Sequence, residues 1–455
     1  MNVAIDMATE GMTRHLAEQA SALRWEALPA PVRQVARQAM LDTIGCALAG
    51  AREPLADILF AELAEAGGTP GATVLGRATR LPPAAAALLN GAAGHALDFD
   101  DVNMAMPGHP SVAILPALLA LGEARGATGP ELLTAFVAGT ELACRVGRTI
   151  APGHYDGLGF HATATLGSLG AAAACAHLLG LDAARFAAAL GIAVTQAAGL
   201  KSMFGTDCKP LHAGKAAYHG LLAAKLAARG FTSRGDAIEC PQGFAATHSP
   251  DFHPARAFET PPGGFHILAN LFKYHAACYL THAPIEAARA LREAHGLAPG
   301  RIAAARLTLS EACDRVCNIP SPRTGLEAKF SLRLTTAMAL AGVETGALAS
   351  YSETTAADPV LTGLRDRVSF DFRPDRSHTL AELELELTDG TVLRARHDSG
   401  VPAADLDRQG ERLEAKFLAL SGPVLGEGRA RDVMLRVAAL DAAGEIGGLL
   451  ALCAG

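Results

Sequence analysis

The sequence predicts a mainly α protein: a large all-helical domain with an inserted smaller α+β lid domain. Three observations lead there. Residues 1 to about 270 place Leu and Ile at helical spacing in Ala-rich runs broken by prolines; after about Ala269 several segments switch to two-residue alternation; and helical spacing returns from Asp405. The helical domain is therefore expected over 1–269 and 401–455, and the α+β lid over 270–400.

Taken in order, Met1 to Leu28 mixes Asp6, Glu10, Arg14, Glu18, Arg24 and Glu26 with apolar residues, which reads as an amphipathic helix and not as a signal sequence. Helices are expected at Pro31–Ala49, Pro54–Ala66, Pro83–His95, Val112–Ala124, Glu131–Arg148, Thr163–Leu179 and His212–Arg229, several of them opened by a proline at the first turn. Strands are expected at Arg306–Ser310, Arg367–Phe372 and Ala381–Arg396. In the last, Leu383, Leu385 and Leu387 share one face, Glu382, Glu384 and Glu386 the other, and Asp389-Gly390 supplies a hairpin turn. Asp405–Leu420 and Arg429–Leu440 then read as helices that pack back on the helical body.

Composition narrows the function. In 455 residues, 50% are hydrophobic, 19% are charged and the formal net charge is -7, so the chain is globular, large enough for a catalytic cleft and unsuited to gripping nucleic acid. Nine cysteines without regular spacing fit reduced thiols in a cytoplasm. Phe160–Leu181 carries no formal charge over a membrane-spanning length, yet its Ala, Gly, Ser and Thr content suits tight helix packing in a core rather than insertion.

Five polar clusters interrupt this apolar background. The first joins His95, Asp98, Asp100 and Asp101 to Gly108-His109-Pro110-Ser111; it suits a Mg²⁺ site, a proton-transfer site in which an Asp orients a His, or an ordinary capped helix end. The second, Gly153-His154-Tyr155 through His161, precedes a helix starting near Thr163, whose free amides could hold a carboxylate with His161 and Thr163 at the rim; Thr163 equally suits the ordinary role of helix cap. The third, Lys201 to Gly214, puts Lys209 and His212 on a loop that opens a helix, where a point charge and amides suit a multiply anionic substrate.

The fourth cluster, Leu271 to His282, lies at the proposed domain junction. It contains Lys273 among apolar and aromatic neighbours and Cys278, which is either a thiolate nucleophile or a small buried hydrophobe. The fifth holds Arg323 in a Pro-braced loop suited to clamping a carboxylate, followed by Glu327 and Lys329; Cys313 and Cys317 lack partners at zinc spacing. Dinucleotide fingerprints, phosphate-binding loops, His-Glu-x-x-His and Gly-x-Ser-x-Gly are absent from the sequence, so chemistry is expected from side chains, with no cofactor and no metal.

Asn90-Gly91 through Asp98-Phe99-Asp100-Asp101, Gly108-His109-Pro110-Ser111, Gly159-Phe160-His161 with Thr165-Leu166-Gly167, Lys209-Pro210-Leu211-His212 with Gly214, and Glu327-Ala328-Lys329-Phe330-Ser331 together resemble the MmgE/PrpD family in order and spacing over almost the whole chain. The family includes 2-methylcitrate dehydratase, cis-aconitate decarboxylase and iminodisuccinate epimerase, all acting on small polycarboxylates without a metal. The resemblance implies a helical domain with an α+β lid, a homodimer, and Asp98, His109, His161, Lys209 and Lys273 lining a cleft. Cys278, where the decarboxylase branch has a His, and Leu334, where it has a Tyr, point away from decarboxylation. The Gly153-His154-Tyr155 loop and the Cys278-Tyr279 pair look more like the epimerase branch, with Tyr155 as a second acid or base. The expected activity is accordingly a 2-methylcitrate-dehydratase-like lyase that abstracts a proton α to a carboxylate, then an epimerase of an amino or imino dicarboxylate, then a decarboxylase. Catalytic roles are expected for Asp98, Tyr155, His161, Lys209 and Lys273, and substrate contacts for His109, Thr163, His212, Cys278, Arg323 and Lys329.

Overall fold

The computed structural model describes residues 11–442 and 444–455. The part of the expected N-terminal helix before Gly11 lies outside them. The chain is mainly helical and forms two compact units, one of residues up to Phe272 with Ala404–Gly455, the other Lys273–Ala403.

Counting helices of ten residues or more, the first unit begins with α1 (Met12–Ala22), α2 (Ala30–Gly50), α3 (Pro54–Ala66), α4 (Pro83–His95) and α5 (Pro110–Arg125). It continues with α6 (Gly129–Ile150), α7 (Ala162–Leu178), α8 (Ala183–Val194) and α9 (Cys208–Ala228). Small residues let these helices approach. A Cβ on Gly91 of α4 would fall 2.8 Å from Gly214 Cα of α9, and one on Gly214 would fall 2.2 Å from Leu88 O. Gly139 of α6 meets Gly170 of α7 in the same way, with 2.5 Å from an added Cβ to the Gly170 carbonyl. The uncharged stretch expected to pack in a core does so, since every residue from Ala162 to Ala176 is buried. No helix of the described residues is long and apolar enough to cross a membrane.

A sign test follows from the Gly91/Gly214 contact. Gly214→Ala should destabilise the protein by about 1–3 kcal/mol, because the methyl group has nowhere to go. Gly422, in the C-terminal helix, has nothing within 4 Å of an added Cβ, so Gly422→Ala should gain up to about 1 kcal/mol from helix propensity. Denaturant midpoints of the two variants moving in the same direction would refute the packing argument.

The second unit holds α10 (His282–His295), β1 (Ile302–Ser310), α11 (Leu332–Ala341), β2 (Val368–Arg373), β3 (Leu380–Leu387) and β4 (Val392–Asp398). The sheet order is β2-β1-β3-β4, with β1 parallel to β2 and antiparallel to β3, and β3 and β4 forming the expected hairpin. Leu383, Leu385 and Leu387 are buried in the core with Ile285, Leu291 and Leu307. On the opposite face Arg394 donates to Glu384 at 2.9 Å. Asp389-Gly390 makes the turn, with Gly390 at φ 83°.

After the second unit the chain returns to the first as α12 (Leu406–Leu425), which packs on α2, and α13 (Glu427–Ala438). Several expectations shift. The strand expected from Arg306 begins at Ile302, α8, α10 and α11 lie outside the expected helices, and α9 begins at Cys208 instead of His212. Lys209 and His212 therefore stand three residues apart in the first turn of a helix, on one face, and not on a loop.

Candidate active site

Three connections of the first unit meet at one place: the α4–α5 loop with Asp98 and His109, the loop before α7 with His161, and the start of α9 with Lys209 and His212. The second and third are laced together by the backbone. His161 N–H donates to Gly199 O at 2.9 Å and Lys201 N–H to Gly159 O at 2.8 Å.

Lys209 Nζ lies 2.7 Å from Asp98 Oδ1. His109 Nε2 is 3.7 Å from the same oxygen, and its Nδ1 is 3.0 Å from Asp100 Oδ2. The other oxygen of Asp100 is 2.8 Å from His95 Nδ1. Asp100 thus hydrogen-bonds the Nδ1 of His95 and lies at ion-pair distance from the Nδ1 of His109, leaving each Nε2 facing away from it; His95 Nε2 is buried without a hydrogen-bond partner. Burial lowers His95 to about 4, outweighing the pull of Asp100. Burial alone would raise Asp100, but His95 and His109 overcome it and hold the carboxyl well below its ordinary value. Asp100 is therefore an ionised anchor, and His95 a neutral imidazole that donates from Nδ1.

His161 stacks beside His95, ring centroids 5.9 Å apart, and its Nδ1 is 3.1 Å from His212 Nδ1, so one of the two donates and the other accepts. Burial, then His95 and the Lys209 charge, push His161 far below the ordinary imidazole value. His212 is lowered too, by burial and by Lys215 and Lys209. The exposed Phe204 stands edge-on to His161 at 5.0 Å, with Lys209 Nζ 5.4 Å from its ring. One surface of the unit thus presents the Lys209 ammonium, the Asp98 carboxylate, the half-buried His212 imidazole and the Phe204 ring, with the buried His161 in contact with His212.

Three expectations change here. Thr163 is fully buried and its hydroxyl accepts the His109 N–H at 3.1 Å, so it fixes the His109 loop and does not stand at a rim. The α7 amides expected to hold a carboxylate are covered: a Cβ on Gly108 would fall 2.8 Å from Thr163 N. Asp101 has partners of its own, accepting from Ser111 Oγ and, at 2.7 Å, from Asn270 Nδ2, and burial raises it to about 8. Tyr155 sits in a short turn with its ring under Lys201 Nζ at 3.7 Å; burial, Asp156 and Asp98 raise its hydroxyl.

His95, Asp98, Asp100 and His109 have ligand-type atoms within 4.8 Å of one another. The Asp98 oxygen already carries the Lys209 ammonium, which would oppose a divalent cation there. The cluster is better matched to hydrogen bonding and ion pairing than to coordination.

In the second unit, Lys273 is buried and close enough to His282 to lower it after burial has done so. Half-buried Cys278 packs against the core containing Cys313 and Cys317, and its N–H donates to Lys329 O at 3.0 Å. Lys329 lies 5.9 Å from the Tyr351 ring. Arg323 is exposed beside the capping box of Thr324 and Glu327.

Residues 14–257 match the MmgE/PrpD N-terminal domain and residues 275–442 the MmgE/PrpD C-terminal domain. The chain belongs to the MmgE/PrpD family. This MmgE/PrpD chain is 30% identical over 92% of its length to cis-aconitate decarboxylase of Homo sapiens, covering 89% of that protein. It is 29% identical to the Aspergillus terreus enzyme of the same name, with 98% and 96% covered, and 32% to that of Mus musculus, with 72% and 70% covered. The MmgE/PrpD C-terminal match runs on into α12 and α13, which belong to the first compact unit. Of the network, His95 and Asp100 carry no individual role in the sequence, and Phe204 carries no functional signal. All three lie inside the polar clusters of the sequence, and only burial and direction distinguish them from their neighbours.

Proposed function

We propose that this chain is a cofactor-independent lyase of small polycarboxylic acids, cleaving a bond at a carbon next to a carboxylate. The observation that carries the reading is the Lys209 cation, paired to Asp98, beside the neutral His161–His212 couple. Lys209 meets a substrate carboxylate and the negative charge that spreads onto it as the carbanion forms. In dehydration or epimerisation a neutral imidazole takes the α-proton; in decarboxylation carbon dioxide leaves and the carbanion takes a proton that an imidazole has first drawn from solvent. The enzyme acts as a homodimer.

Decarboxylation of a cis-aconitate-like acid is the exit we place first, because the relatives described above carry that name. This reverses the ranking expected from sequence. Dehydration of the 2-methylcitrate type is the second reading: Cys278 and the fully buried Leu334 of α11 stand where the resemblance puts a His and a Tyr in the decarboxylase branch, and both count against decarboxylation. Incubation with cis-aconitate, 2-methylcitrate and iminodisuccinate in deuterated water separates the exits. A decarboxylase releases carbon dioxide, a dehydratase creates a conjugated alkene that absorbs in the ultraviolet, and an epimerase washes deuterium into recovered substrate. Inertness toward every polycarboxylate would sink the proposal. Turnover is also expected to survive EDTA unchanged, since Lys209 occupies the one carboxylate a cation would share with solvent; loss of activity restored by a divalent ion would contradict that assignment.

A further inference from the structure

Asp98 has φ 49°, in the left-handed region that residues with a side chain rarely adopt. Such a backbone persists where its neighbours over-determine it. Asp98 N–H donates to His95 O at 3.1 Å. Asp100 is held by His95 and His109, and Asp101 by Ser111 and Asn270. Phe99 is anchored from far along the chain: Lys416 of α12 donates to Phe99 O at 2.6 Å and lies 3.9 Å over the Phe99 ring. The same ammonium is 2.6 Å from Asp42 Oδ1 of α2. Lys416, Asp42 and Phe99 are all buried.

A buried ion pair is weak as a stabilising device, because desolvation consumes much of its attraction and an apolar pair of similar volume does as well. What an apolar pair lacks is a donor for the Phe99 carbonyl. We infer that Lys416 is a positioning residue: neutralised by Asp42, it grips the Phe99 carbonyl and thereby holds Asp98 in the left-handed turn that presents its carboxylate to Lys209. The C-terminal segment thus completes a site built from loops more than 200 residues earlier in the chain. The inference rests on the reading of Asp98 and Lys209 as part of the reaction site.

Two neutral replacements of the pair test it. Lys416→Met with Asp42→Leu removes the donor; Lys416→Gln with Asp42→Asn keeps one. Both should melt close together, yet the first should lose about 10²-fold in cis-aconitate turnover, as a displacement of roughly 1 Å does, while the second stays within several-fold of wild type. Equal turnover in the two overturns the inference. If the Met/Leu protein does not fold, Asp42→Asn alone decides: Lys416 still reaches Phe99 O, so activity is retained, and a fall as deep as that of Lys209→Met refutes positioning through Phe99. If the wild type turns over no polycarboxylate, the functional reading fails by itself. Crystal structures then judge the positioning: Asp98 leaving the left-handed region only in the Met/Leu protein supports it, and an unchanged φ in both overturns it.

Discussion

Lys209→Met is expected to lower kcat/KM by about 10²–10³-fold, the order of loss that follows removal of one group that stabilises an anionic reaction centre. Methionine keeps the length and apolar contacts of the side chain and deletes only the ammonium. Fold stability should hardly change: the Asp98 side chain is 41% exposed, and so solvated an ion pair is worth about 0–1 kcal/mol. The loss should fall largely on substrate affinity, because a carboxylate is held in the ground state as well as in the transition state. Citrate, used as an unreactive probe in calorimetry, should bind correspondingly more weakly. Lys209→Arg should rescue little, since a planar fork does not replace a point charge at 2.7 Å from Asp98. A Lys209→Met enzyme with wild-type kcat/KM and citrate affinity would remove the ammonium from the chemistry.

Much of this arrangement is legible in the sequence because its signals are local. Pro54 and Pro83 stand at the helix starts where first-turn prolines belong, and the Leu/Glu alternation of β3 fixes both its strand state and its buried face. The polar clusters mark the site because polar residues are rare in so Ala-rich a unit. The misplaced start of α9 has a local cause as well: Asp207 forms no side-chain cap, so the helix begins without its usual punctuation. What stayed hidden depends on distant partners. Thr163 looks like a rim residue in the sequence because its cover, Gly108, lies on another loop. Asp98, Asp100 and Asp101 look alike in a row of letters; three different sets of partners make one a Lys209 partner, one an ionised anchor of two imidazoles and one a carboxyl raised to about 8. Lys416 carries no motif at all.

His161→Asn should split from Lys209→Met in a way that assigns the two roles. Asparagine keeps polar atoms near those of the imidazole but cannot accept and return a proton near neutral pH, so kcat should fall by about 10²–10⁴-fold. Citrate affinity should stay within several-fold of wild type, because burial and the neighbouring His95 and Lys209 keep His161 uncharged and no charge is lost on substitution. Stability adds an independent check with a definite sign. The folded-state value lies far below the ordinary imidazole value of about 6.5, so on acidification the unfolded chain takes up the proton at this position and the folded protein does not. His161 therefore costs stability as the pH falls below about 6.5, approaching 1.4 kcal/mol for each further pH unit. Denaturant midpoints at pH 7.5 and 5.5 should separate more for the wild type than for His161→Asn. An asparagine variant that keeps kcat would remove His161 from proton transfer, and one with the same acid sensitivity as the wild type would show that the imidazole is not held neutral. Weak citrate binding together with normal kcat would exchange the roles of His161 and Lys209.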